Sequence, residues 1–127
     1  MQGNAINGVN SYTAAAALSE GTIVKFSGST DSNGLPTVTP TTAANDAAIG
    51  VAIRDCASGE KCAIALFGVF NGTVLVKAGG AVSVGAQVAA NGTATAAATD
   101  VIIGRALSAA SAEGDVIELA SQVGQVK

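Results

Sequence analysis

A chain of 127 residues with 49% apolar residues is long enough for one domain with a core. Its net charge of −3 and absence of any basic cluster argue against a nucleic-acid surface. There is no His, which removes Ser–His and Cys–His catalysis and the commonest metal ligand, and no apolar run reaches the roughly eighteen residues a membrane span needs. Only 12% of residues are charged, against about 25% in ordinary domains, so the surface suits lasting contact with other protein.

In chain order, residues 1–17 carry Asn and Gly breakers without a clear period and read as an extended N-terminal arm. Met1-Gln-Gly-Asn lacks the basic and apolar regions of a secretion signal, which predicts synthesis and solubility in a cytoplasm. Ala14–Leu18 has the composition for one helical turn. Gly21 opens the first strand, Thr22–Phe26, and Ser27–Gly34 is a loop of turn residues. Leu35–Thr39 resumes extended chain, and Pro36 and Pro40 confine it to an edge or a strand start. Thr41–Ala48 reads as a turn or short cap, followed by a strand over Ile49–Ile53, a turn over Ala57–Glu60 and a long strand over Cys62–Phe70. Asn71-Gly72 predicts a hairpin to Thr73–Lys77, and Asn91-Gly92 a second one to Thr93–Ala98. Short strands follow over Val82–Val84, Ala86–Ala89, Val101–Leu107 and Val116–Ala120. The pattern predicts an all-β fold, a small barrel or sandwich of short antiparallel strands. The domain is expected to span 18–127.

The chain also repeats itself. Asp46-Ala-Ala-Ile-Gly-Val-Ala-Ile53 returns as Asp100-Val-Ile-Ile-Gly-Arg-Ala-Leu107, and Leu18–Lys25 answers to Val82–Ala89. This suggests an internal two-fold repeat with similar halves at about 18–66 and 82–119. The aromatic residues are few: Tyr12, Phe26, Phe67 and Phe70, with no Trp. Much of the apolar content is Ala, so the core lacks large anchors, and oligomerisation or docking is expected to supply stability.

No constellation of reactive residues stands out, and the reading is not an enzyme. The acidic residues sit mostly in predicted turns, where solvated carboxylates are common. Asp31-Ser-Asn-Gly34 lacks the later ligands of a calcium loop, so no metal or cofactor site is assigned. Cys56 and Cys62 flank Gly59 symmetrically. They read as small buried residues in a reducing compartment, with a cross-strand disulfide as the alternative.

Two resemblances arise. Gly72–Val88 resembles the barrel-sandwich repeat of biotinyl and lipoyl carrier domains, where a Lys at a hairpin tip is modified. Lys61 would be that residue here, although its flanks, Glu60 and Cys62, do not match. The second resemblance covers about nine-tenths of the chain. Asn7–Leu18 followed by Gly21–Phe26 resembles the start of tailed-phage capsid cement, or decoration, proteins. Later blocks are similar in order: Ile49–Ile53, Gly59-Glu60, Gly68–Phe70, Val76–Gly80, Gly85–Val88, and Ile103–Leu107 with Gly114-Asp115. The resemblance implies a β-rich homotrimer on the outer surface of a virion, bound to the major capsid protein and stabilising the DNA-filled head. It also implies that the arm contacts a partner, for which Asn7, Val9, Asn10 and Tyr12 are the candidates. Tyr12 could equally cap its own barrel. Phe67 and Phe70, near the end of one strand, are candidates for a trimer interface. A virion-surface module that binds the host is a third reading.

Overall fold

The computed structural model describes residues 7–126, and among them there is no helix. Nine strands form: β1 (Val9–Ala14), β2 (Ile23–Thr30), β3 (Pro36–Pro40), β4 (Ala48–Ala52), β5 (Lys61–Leu66), β6 (Val74–Lys77), β7 (Gln87–Ala89), β8 (Val101–Ala106) and β9 (Val116–Val126). The first five close into a barrel in the order β1-β3-β2-β4-β5, and the rest form a sheet in the order β6-β9-β8-β7.

Dropping β3 leaves β1-β5-β4-β2, which is the strand order of the second sheet. Matching hydrogen bonds recur in both. The Leu18–Cys56 bridge has its counterpart in Val82–Ala110. Gly21 N–H donates to Ala52 O as Gly85 N–H does to Ala106 O, and Gly59 N–H donates to Ala14 O as Gly114 N–H does to Ala78 O. One Asp46 oxygen accepts the N–H groups of Thr42 and Ala43, and one Asp100 oxygen accepts those of Ala96 and Ala97. These bonds place β6 opposite β1, a strand earlier than the sequence halves begin. The first sheet carries an insertion between its second and fourth strands. Lys25 pairs with Thr39 across a long loop, whereas their counterparts Ala89 and Thr93 are bonded across the Asn91-Gly92 turn.

Several expectations need correction. Val9–Ala14 is not an arm: β1 pairs with β3 in parallel and with β5 antiparallel, and so helps to close the barrel. Asn10 lies opposite Ile64 and Tyr12 opposite Cys62, both barrel-facing, so a polar residue interrupts the inward row and hides the alternation. Residues 1–6 of the expected arm lie outside the described residues. Ala14–Leu18 forms no helical turn, since Ala14 ends β1 and Leu18 bridges Cys56. β3 is not an edge. Its prolines sit at both ends, and Thr37 and Val38 between them pair with β1. Asn71-Gly72 makes no hairpin, because β5 stops at Leu66 and β6 pairs with β9 instead. The segment after Asn91-Gly92 forms only a bridge, Val88 to Ala94. Cys56 and Cys62 are joined, with Cα atoms 5.9 Å apart, rather than reduced. The Leu18–Cys56 bridge and the Gly59 turn bring their backbones into disulfide range.

The core has two parts. One lies inside the barrel, with Ala14, Leu18, Val24, Val38, Ala52, Cys56, Cys62 and Ile64. The other joins the two sheets: Ile23, Val51, Ala65 and Phe67 from the first half pack with Val76, Val88, Ile103, Ile117 and Leu119 from the second. A shared core makes the described chain one packed body.

Candidate docking surface

Asp31, Asp46 and Asp115 each accept backbone N–H groups of a turn. One Asp31 oxygen accepts the backbone N–H groups of Leu35 and Asn33, and the other accepts the Thr13 hydroxyl at 2.9 Å and faces Lys61 Nζ at 3.6 Å. The Leu35 N–H, followed by the Thr13 and Asn33 bonds and the Lys61 charge, holds this carboxyl below its ordinary 3.8. Asp46 is lowered by the Ala43 and Thr42 N–H groups and by Lys25, and Asp115 by the Ser111 N–H and hydroxyl and the Ala112 N–H. All three shifts are downward from 3.8, so they contribute stability that is fully present above the ordinary value. That contribution is lost as pH falls through the lowered folded values. A urea midpoint flat from pH 7 to 5 and falling below pH 4 is the expected result; a midpoint that rises below pH 4 contradicts it.

Among the described residues no three His, Cys, Asp or Glu side chains gather as a metal site. Three concavities of the described surface bear on docking. A polar cleft of about 580 Å³ is walled by the insertion, through Ser29–Asn33, and by Thr13, Ser58 and Lys61. An apolar pocket of about 190 Å³ is lined by Ile53, Phe70, Val74 and Leu75 with Ala52, Thr73 and Glu20. It adjoins the outer face of the second sheet, where Leu75 lies opposite Glu118 and Val116 opposite Lys77. Leu107 N–H bonds Glu118 O on the other side. Leu75, Val116 and Leu107 are each about half exposed, while Val74 and Val76 of the same strand are buried. A small cleft of about 140 Å³ at the barrel end is the third, lined by Asn10, Ser11, Tyr12, Leu35, Pro36 and Lys61.

The residues singled out from sequence fall in different places. Asn7 has φ of 56°, and its carbonyl accepts the Asn71 N–H. Val9 pairs with Ala65. Asn10 donates to the Tyr12 hydroxyl at 3.1 Å, and the Tyr12 ring meets Phe26 edge-on at 5.4 Å. Tyr12 is partly buried and packs against the barrel core. Phe67 is 3% exposed and belongs to the core between the sheets, whereas Phe70 is half-buried and lines the apolar pocket. The two phenylalanines are therefore not one surface. Lys61 begins β5 and pairs with Asp31, so it does not project from a hairpin tip. Ile53 and Leu75 were missed. The only signal for them was strand parity, and in Val74-Leu-Val-Lys77 both faces look apolar until Leu75 is placed outward.

Comparison with known proteins agrees with this architecture. The fold is that of "head fiber gp8.5 N base in bacteriophage phi29", with a TM-score of 0.68 at 18% identity over 94% of this chain and 97% of that one. A search of curated proteins finds no match. The family of phage cement proteins matches residues 6–121, nearly the whole of the described chain. Matched over that length, the chain belongs to the phage cement protein family.

Proposed function

We propose that the chain is a decoration protein on the outer surface of a phage head, made in the host cytoplasm and bound as a homotrimer to the major capsid protein. It holds the DNA-filled shell together and turns over no substrate. The observation that carries this reading is the cement family match over residues 6–121. The fold shared with a phage head fiber base supports it. So does a surface with apolar faces and little charge, since small contact energies multiply across a lattice of repeated copies.

Two faces are assigned roles. The cleft lined by Asn10 and Tyr12, with Leu35 beside them, contacts the capsid; Asn7 and Val9 do not line it. Phe70, with Ile53 and Leu75, forms the contact between copies, while Phe67 supports it from the core. The test is addition of purified chain to heads assembled without it, followed by imaging and a heat challenge. Bound chain that delays DNA release is the expected result.

A further inference from the structure

We infer that the Cys56–Cys62 bond is a late covalent lock, closed by oxidation after the chain has folded and not required for the fold. The observation is the second sheet. The bridge and the turn that position Cys56 and Cys62 recur there with Ala110 and Ile117 in their places. Leu18–Cys56 corresponds to Val82–Ala110, and Tyr12–Cys62 to Val76–Ile117. Ala110 and Ile117 are buried apolar residues. The same hairpin therefore closes in one half of the molecule on hydrogen bonds and packing alone. In the other half two thiols would pack as small apolar groups in the barrel core, and the covalent bond is added to a hairpin already specified.

Burial defines how the lock behaves. Cys56 is 5% exposed and Cys62 fully buried, so exchange with a dissolved reagent proceeds through brief opening of the hairpin while the rest of the chain stays folded. A low-molecular-weight disulfide such as oxidised glutathione supplies the oxidising equivalents. One thiolate attacks it, releasing one glutathione thiol and leaving a mixed disulfide. The second thiolate then displaces the other glutathione, so two electrons pass to the reagent and the two thiol protons are released from the protein. The inference stands on the two sheets' geometry and does not depend on the proposed role.

The test uses the full chain purified under dithiothreitol. The reduced protein is expected to melt cooperatively. Treatment with oxidised glutathione should lower the intact mass by two hydrogens and raise the thermal midpoint by about 8 °C, as closure of a short loop predicts. Cys56→Ala combined with Cys62→Val should melt near the reduced protein and ignore glutathione. A reduced chain without a cooperative melt would overturn the inference, because the bond would then be needed for folding. Oxidation that leaves the midpoint unchanged, or an equal rise in the double variant, would overturn it as well.

Discussion

Gly50→Ala and Gly104→Ala are each expected to lower the thermal midpoint by about 10 °C or more, a loss of roughly 3 kcal/mol. These are the glycines of the repeated Ile-Gly pair, and the structure gives them the same task. A Cβ on Gly50 would stand 2.3 Å from Ala65 O and 2.8 Å from Ile64 Cγ2. A Cβ on Gly104 would stand 2.2 Å from Ala120 O, and Gly104 also has φ of 157°. In both cases the obstacle is the backbone of the adjacent strand, β5 or β9, which cannot swing aside as a side chain would. Both glycines lie near irregularities of pairing: the register shifts between Val24 and Lys25 opposite β4, and between Ile102 and Gly104 in β8. Gly34→Ala is the control for steric contact, since nothing lies within 4 Å of the added carbon. It carries only the strain of φ 77°, on the order of 1 kcal/mol. Circular dichroism melts of the three variants check this. A Gly104→Ala midpoint within 2–3 °C of the parent, a shift of about 1 kcal/mol or less, would show that β9 does not run where it is placed.

Phe67→Ala is expected to cost about 3–5 kcal/mol of folding stability. Phe67 is the largest side chain in the core shared by the two sheets. Truncation there leaves a cavity between two rigid layers that cannot collapse easily. Because the core is shared, both sheets should unfold in one transition at the lower midpoint, with no separate melting of the barrel. Phe70→Ala, on a half-buried side chain at the apolar pocket, should cost less stability. Chemical denaturation followed by both far-ultraviolet and tyrosine signals distinguishes these outcomes. Phe67→Ala that leaves stability intact but abolishes association between copies would contradict the placement of Phe67.

The sequence was most legible where backbone chemistry is local. Gly21 and Asn91-Gly92 mark turns that form where expected, and the β-branched run after Gly21 becomes β2, although no strand follows Asn91-Gly92. It was least legible where a strand's partner lies far along the chain. β1 escaped notice because Asn10 occupies an inward position and is satisfied there by Tyr12, a contact no window of sequence displays. Asn71-Gly72 has the composition of a hairpin, but burial of Phe67 between the sheets draws the chain out of the barrel before a return strand can form. The prolines of β3 allowed an edge or a strand start; Pro36 is the start, and the residues between the prolines are left to pair on both sides. For the surface, composition indicated that apolar area would be left for partners. Which residues hold it depended on facing: Leu75 turned outward between buried Val74 and Val76. The spacing of the cysteines left their state open, and only the paired backbone of the hairpin settles it.

The most direct test of the cement role adds the purified chain to DNA-filled heads assembled without it, images the particles by cryo-electron microscopy, and heats them. The account predicts three-lobed density outside the shell at the capsid lattice, and DNA retained to a higher temperature than in bare heads. Density inside the shell, or decorated heads that release DNA at the same temperature as bare ones, would contradict it.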